Sequence, residues 1–205
     1  MVALSVGEIE VVAKTVFYFL HERMWNSIHY GKREVQPFVL WLTGLSGAGK
    51  STLADRTGEA LRKKGYKIQQ LDGDTIRSVF PQTGFTKSDR DQHIRRVGFL
   101  ASLLEKNGTI VISSFISPYR ESRQFVREQC QRFVEAYVSA PLDVCESRDV
   151  KGLYKKARRG EIKNFTGIDD PYEPPENPEF TIPTHRQTVD ELVRDLMALI
   201  EKKLL

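Results

Sequence analysis

The sequence predicts an α/β fold, a doubly wound parallel sheet with helices on both faces. Three observations predict it. Gly44-Leu-Ser-Gly-Ala-Gly-Lys50-Ser51 fits the phosphate-cradling pattern G-x-x-x-x-G-K-[ST] at every fixed position. Its flanks read as a buried strand and a helix, the setting that pattern requires. The remaining strand candidates are continuous apolar runs separated by helical stretches, the signature of a parallel sheet covered on both faces.

The elements follow in order. Ile9, Val12, Ala13, Val16, Leu20 and Met24 recur at helical spacing, which predicts an amphipathic helix over 8–28, followed by the polar linker His29-Tyr-Gly-Lys-Arg-Glu34. Residues 1–36 thus form an extension ahead of a domain over 37–205. The extension's helix is expected to dock on the rest of the chain; a partner or dimer surface is the alternative. Strands are predicted over 38–43, 66–71, 109–114, 133–138 and, more weakly, 179–182, and helices over 51–64, 89–106, 119–130, 142–148 and 188–203. Ligands of such a sheet bind at the carboxyl ends of its strands.

Composition bounds the function. The chain has 205 residues, 40% hydrophobic and 28% charged, enough for one good core. The apolar run Val16-Phe-Tyr-Phe-Leu20 is too short to span a bilayer and has no small-residue cleavage site, so no membrane is implied and a cytoplasmic protein is expected. Cys130 and Cys145 show neither metal-ligand nor redox spacing and read as apolar residues in a reducing compartment. A net charge of +4 suits a polyanionic ligand. The basic residues are interspersed with acids, so nucleic acid is not indicated.

The motif carries explicit chemistry. Its glycines let the backbone wrap a β-phosphate, Lys50 reaches the β/γ-phosphates, and Ser51 holds Mg2+, so a nucleoside triphosphate is the expected ligand. The fold is then of the P-loop NTPase type. Asp72-Gly-Asp74 ends the second strand beside this loop, and a carboxylate there can orient an acceptor hydroxyl or hold magnesium. Asp74 could instead cap a helix starting at Thr75, which leaves Asp72 the stronger chemical candidate. Arg77, Arg90, Arg95 and Arg96 follow closely, suiting an anionic second substrate or a solvated face. From 151 to 178 the βα rhythm breaks: Lys151, Lys155, Lys156, Arg158, Arg159 and Lys163 are interspersed with Gly152, Gly160 and Gly167, then Asp169-Asp-Pro-Tyr-Glu-Pro-Pro175. Over a phosphate site this reads as a mobile lid carrying cations, in preference to a solvated basic loop.

Taken together, the phosphate loop, Leu71-Asp-Gly-Asp-x-x-Arg77, Gly84-Phe85, Asp89-Arg90-x-x-x-Ile94-Arg95-Arg96, Ser114-Phe-Ile-Ser-Pro-Tyr119, Arg148-Asp-Val-Lys-Gly-Leu-Tyr-Lys-Lys156 and Lys163-Asn-Phe-Thr-Gly-Ile-Asp-Asp-Pro-Tyr-Glu173 resemble the adenylylsulfate (APS) kinase family. The resemblance runs from about residue 38 onward. It implies ATP and Mg2+ as cofactors, adenosine 5′-phosphosulfate as substrate, phosphoryl transfer to its 3′-hydroxyl in sulfate assimilation, a homodimer, and in some members association with a sulfurylase. It implies a nucleotide cradle of Gly44, Leu45, Ser46, Gly47, Ala48, Gly49, Lys50, Ser51 and Thr52, with metal at Ser51 and Asp72. Lys50, Asp72, Asp74 and Ser117 would be catalytic. Substrate would meet Asp72, Arg77, Phe85, Arg90, His93, Ile116, Ser117, Lys155 and Phe165, with Arg77 and Arg90 on the phosphosulfate and Phe85 and Phe165 sandwiching the adenine.

Ser117 is often described in this family as a phosphoserine intermediate. With no base beside it in sequence, positioning substrate or capping a helix from Tyr119 is the expected role. Two features depart from the family pattern: His93 stands where Asn is usual, and the loop before Phe85 is one residue short and carries Pro81. Two other readings compete. One is a small-molecule kinase with a sugar, shikimate-like or nucleoside monophosphate acceptor; the other is a nucleotide-dependent switch, for which Asp149-Val-Lys-Gly152 has the letters of a D-x-x-G element but no Asn-Lys-x-Asp signature follows.

Overall fold

The computed structural model describes residues 6–27, 36–80 and 84–205. The chain divides into two compact units, Met1–Glu34 and Val35–Leu205. Among the described residues of the first, the helix α1 (Val6–Ser27) leaves Val11, Val12, Val16, Phe17, Tyr18, Phe19, Leu20 and Met24 exposed. The predicted linker over 29–34 and the Pro81 loop lie outside the described residues.

In the second unit five strands, β1 (Val39–Thr43), β2 (Ile68–Asp72), β3 (Ile110–Ser114), β4 (Phe133–Ser139) and β5 (Phe180–Pro183), form one parallel sheet in the order β2-β3-β1-β4-β5. All neighbouring pairs are parallel, and Leu42 stands level with Ser114 on β3 and Ala136 on β4. The helices are α2 (Lys50–Lys63), α3 (Gly73–Val79), α4 (Lys87–Lys106), α5 (Arg120–Gln129), α6 (Leu142–Arg148), α7 (Leu153–Arg158) and α8 (Val189–Lys203).

The continuous apolar character of β1 has its cause in the two layers. Leu40 and Leu42 enter a core with Leu53, Leu61, Leu196 and Ile200 of α2 and α8. Val39 and Trp41 enter a second core with Ile94, Val97, Ala101 and Val126 of α4 and α5. With a core on each face, alternate residues have no polar side to serve. Thr86 and Thr188 open α4 and α8 with capping boxes closed by Asp89 and Glu191. Buried Glu105 at the end of α4 accepts the N–H groups of Gln131 and Arg132, satisfying the backbone that leads into β4.

β1 thus sits centrally with its carboxyl end open to the loop before α2. From there the chain goes to β2 and β3 on one side and to β4 and β5 on the other, which is the switch point where such sheets hold ligands.

Candidate active site

The phosphate loop is built as its glycines dictate. Gly44 has φ of 154° and a Cβ there would stand 2.4 Å from the Val138 carbonyl oxygen; Gly49, ahead of α2, has φ of 100°. No other residue fits the first position, and the second favours glycine strongly. The first turn of α2 therefore aims free N–H groups out of the sheet. Thr184, just past β5, donates its hydroxyl to the Ala48 carbonyl at 2.7 Å and fixes the loop from below.

Lys50 opens α2 with its ammonium folded onto the Leu45 carbonyl at 2.7 Å. Burial, reinforced by Lys151, lowers its pKa to about 8 against the partial support of Cys145, Asp72 and Asp74. Asp72 closes β2. Its Oδ2 accepts the Ser51 and Ser114 hydroxyls, each at 3.1 Å, and its Oδ1 accepts the N–H groups of Asp74 and Thr75. Burial pushes this carboxyl upward, but those hydrogen bonds outweigh it and hold the pKa below the ordinary carboxylate value. The cap expected of Asp74 thus belongs to Asp72, the N-cap of α3. Asp74 is exposed and ion-pairs with Lys151 across the mouth of the site.

These groups open into a cavity of about 830 Å³ whose walls include Ser46, Lys50, Ser51, Thr52, Asp72, Arg77, Phe85, Arg90, His93, Ile116, Ser117 and Phe165. Almost every expected substrate residue is therefore brought to one place. Phe85 is largely exposed, with the Arg77 guanidinium over its ring at 4.9 Å from the centroid. Phe165 is buried and meets Tyr154 edge-on at 5.0 Å.

Lys155 falls elsewhere. Gly152 turns the chain at φ of 66° into α7, whose buried face is Tyr154 and Ala157. Lys155 consequently lines a separate groove with Glu146, Arg158 and Arg159, while Lys151 and Lys163 supply the lid's cations to the main cavity. Asp149, first letter of the D-x-x-G element, caps this turn by accepting the N–H groups of Tyr154 and Lys155.

Arg90 and Ser117 line the cavity and also make contacts that their sequence neighbourhoods do not announce. Arg90 is buried and spends its donors on the carbonyls of Phe85 and Asn164, on Thr166 and on Asp170. Asp170 also accepts the Tyr119 hydroxyl, while Arg123 donates to the Glu173 carbonyl and Arg120 to Pro174 and Glu176. The second half of the lid is thereby stapled to α4 and α5. Ser117, in a left-handed turn at φ of 40°, is buried; its hydroxyl accepts from Trp41 Nε1 at 3.1 Å and donates to Thr43 Oγ1 at 2.9 Å. It caps no helix, since α5 begins at Arg120 with Tyr119 as its N-cap and no side-chain cap.

Sequence reasoning passed over Ser114, Arg148 and Thr184 as site residues and named Lys151 and Lys163 only among the lid's cations, though all five line the cavity. The signal for Ser114 was present: a polar residue ending an otherwise apolar strand of a sheet of this kind faces the ligand end.

A triphosphate cradle at the end of β1, a carboxylate tied to its serine, and a cation-bearing lid over an aromatic-walled cavity define a P-loop kinase of small molecules. Residues 36–183 match the family model described as adenylylsulphate kinase. The chain is 53% identical over 172 residues to the adenylyl-sulfate kinase of Halothermothrix orenii, covering 83% of this chain and 93% of that one, and 55% identical over 168 residues to that of Rippkaea orientalis, covering 82% and 93%. The structure of the Mycobacterium tuberculosis APS kinase CysC in complex with AMPPNP and APS superposes with a TM-score of 0.78 at 39% identity, covering 82% of this chain and 99% of that one. The chain belongs to the adenylyl-sulfate kinase family. A gluconokinase from Sinorhizobium meliloti, 19% identical with a TM-score of 0.53 over 84% of this chain and 95% of that one, shares the fold alone. Residues 1–26 match a different model, described as a predicted membrane protein. Among the described residues no helix is long and apolar enough to cross a membrane.

Proposed function

We propose that this kinase transfers the γ-phosphoryl group of ATP to the 3′-hydroxyl of adenosine 5′-phosphosulfate, giving 3′-phosphoadenosine 5′-phosphosulfate in sulfate activation. The observation that carries the reading is the single cavity joining the phosphate loop, Asp72, two aromatic walls and a cationic rim of Arg77, Lys151 and Lys163. Its volume accommodates a nucleotide and a second adenosine-sized ligand, and its charge suits two polyanions.

The donor set fits magnesium. Ser51 and Asp72 present hard oxygens 3.1 Å apart, the ligand type magnesium takes when phosphates and water complete its shell. Bound there, Mg2+ would neutralise charge on the phosphates. Lys50 supplies a buried positive charge to the transferring group. Asp72, ionised at neutral pH, orients the acceptor hydroxyl and receives its proton late, which suffices for a loose phosphoryl-transfer transition state. Arg77 grips the phosphosulfate, Phe85 and Phe165 hold the adenine, and His93 and Ile116 complete the cavity wall. Arg90 keeps the lid half that carries Phe165 in place. Ser117 shapes the turn beside the acceptor and stays unmodified, so transfer is direct.

The finer reading is a cytoplasmic homodimer, with exposed Phe99 and Leu103 on α4 as an apolar face for a second copy, and with a sulfurylase as the enzyme that supplies the substrate. Label from γ-labelled ATP should enter the product and be released by a 3′-specific phosphatase; label that resists it refutes the assigned position.

The match of residues 1–26 favours a second reading for the other unit: α1 lies in the interface of a membrane, its exposed Val12, Val16, Phe17, Phe19 and Leu20 against the lipid, and tethers the kinase at that surface. Co-flotation of the full chain with phosphatidylcholine–phosphatidylglycerol vesicles, abolished by Phe17→Asp with Phe19→Asp, supports it. Flotation unaffected by those changes, or none at all, refutes it.

A further inference from the structure

His93 is the residue whose chemistry the site leaves unspent. It lies on α4 with its ring 1% exposed, forms part of the cavity wall, and meets Phe115 edge-on at 5.9 Å. Neither Nδ1 nor Nε2 has a hydrogen-bond partner among the described residues. Buried polar atoms in native proteins are almost always paired, so two orphaned nitrogens on one ring facing a cavity point to a partner that arrives with the ligand.

The electrostatics around the ring say what kind of partner. The charges bearing on it are Arg77 from α3 and Arg96 from the next turn of α4. The cavity's carboxylates are engaged elsewhere, Asp72 with Ser51 and Ser114, Asp74 with Lys151, and Asp149 with the N–H groups of Tyr154 and Lys155. Burial first, and these two guanidiniums second, keep the imidazole neutral, with its pKa down at about 4. A dianion gripped by Arg77 would cancel that repulsion and offer acceptors to a doubly protonated ring.

We propose that His93 takes up a proton from solvent when the phosphosulfate group binds and donates an N–H to it, so that acceptor binding is linked to protonation of this one side chain. The inference rests on the acceptor reading given above. No bond other than N–H forms, and the proton comes from the buffer. Linkage fixes the sign: the complex binds more protons than the free enzyme, so affinity for the acceptor rises as pH falls from neutrality. If the bound imidazole returns to its ordinary range, affinity gains about tenfold between about pH 7.5 and about pH 5.5.

The test is calorimetric titration of the full chain with adenosine 5′-phosphosulfate at about pH 6, in MES and in bis-Tris, whose ionisation heats differ. At that pH Lys50 is already protonated and Asp72 already ionised, so neither contributes, and the ligand's phosphate and sulfate titrate far lower. Wild type should take up roughly half to one proton per site. His93→Asn and His93→Gln should bind with uptake near zero, while the change at exposed His185, His185→Gln, should leave it intact. Equal heats in the two buffers for wild type, uptake that persists in both His93 variants, or an affinity that weakens toward pH 5.5 overturns the proposal. An acceptor that fails to bind at all, while ATP still binds, overturns the acceptor reading itself and this inference with it.

Discussion

The indole N–H of Trp41 donates to the Oγ of Ser117 across 3.1 Å, and that hydroxyl donates onward to Thr43 Oγ1, which also contacts the Tyr172 hydroxyl at 3.0 Å. Trp41 and Thr43 belong to the central strand and Tyr172 to the lid, so Ser117 is a link in a buried chain, and the proposed direct transfer asks nothing of it as a nucleophile. Ser117→Ala should keep measurable turnover, where loss of an obligatory nucleophile would cost on the order of 10⁴ or more. It should lower stability by about 1–3 kcal/mol, because the Trp41 donor is left unpaired in the core. Rapid quench with γ-labelled ATP and no acceptor checks the same point: stoichiometric label on Ser117 that chases into product would contradict it.

The two carboxylates of Asp72-Gly-Asp74 should separate cleanly. Asp72 touches Ser51, Ser114 and the start of α3, whereas Asp74 is exposed and meets Lys151. Asp72→Asn should lower kcat by on the order of 10² with folding retained, since asparagine still caps a helix. Asp74→Asn should cost far less. Comparing kcat for the two variants decides it, and the reverse order would transfer the chemical role to Asp74.

Lys50 should imprint its own pH dependence. Burial lowers its pKa to about 8, so in the free enzyme the ammonium is charged below that value and lost above it. The charged form is the one that holds phosphate, hence kcat/KM for ATP should be flat on the acid side of about pH 8 and fall on the alkaline side. Lys50→Ala should lower kcat by on the order of 10² and abolish this limb. A profile in the variant identical to wild type would remove Lys50 from the account.

Arg90 should behave as the lid's anchor. Its buried guanidinium ties Phe85, Asn164, Thr166 and Asp170 together. Arg90→Ala strands the Asp170 carboxylate beside Tyr119 and should cost about 3–5 kcal/mol, with faster proteolytic cutting within 160–175. Thermal denaturation and limited proteolysis with a non-specific protease measure both.

Much of this molecule is legible in its sequence because single constraints act locally. Gly44 is required by close approach and positive φ and Gly49 is favoured by positive φ, and the two-sided burial of β1 leaves Val39, Leu40, Trp41 and Leu42 all apolar. The helix α7 and the placement of Lys155 were hidden, because one residue, Gly152, rotates the chain between Lys151 and Lys155 and so undoes the i, i+4 spacing that would put both on one face. The work of Arg90 and Ser117 was equally out of reach. Their partners are separated from them by between 74 and 80 residues for the lid contacts of Arg90 and by 74 and 76 for the hydroxyl contacts of Ser117, and no local pattern encodes such pairings.

The acceptor is the centre of the account, and ADP release by the purified full-length chain tests it most directly. With ATP and Mg2+ alone release should be negligible, and adding adenosine 5′-phosphosulfate should produce one ADP for each acceptor consumed, with gluconate or shikimate producing none. Equal ADP release with and without adenosine 5′-phosphosulfate would contradict the proposed function.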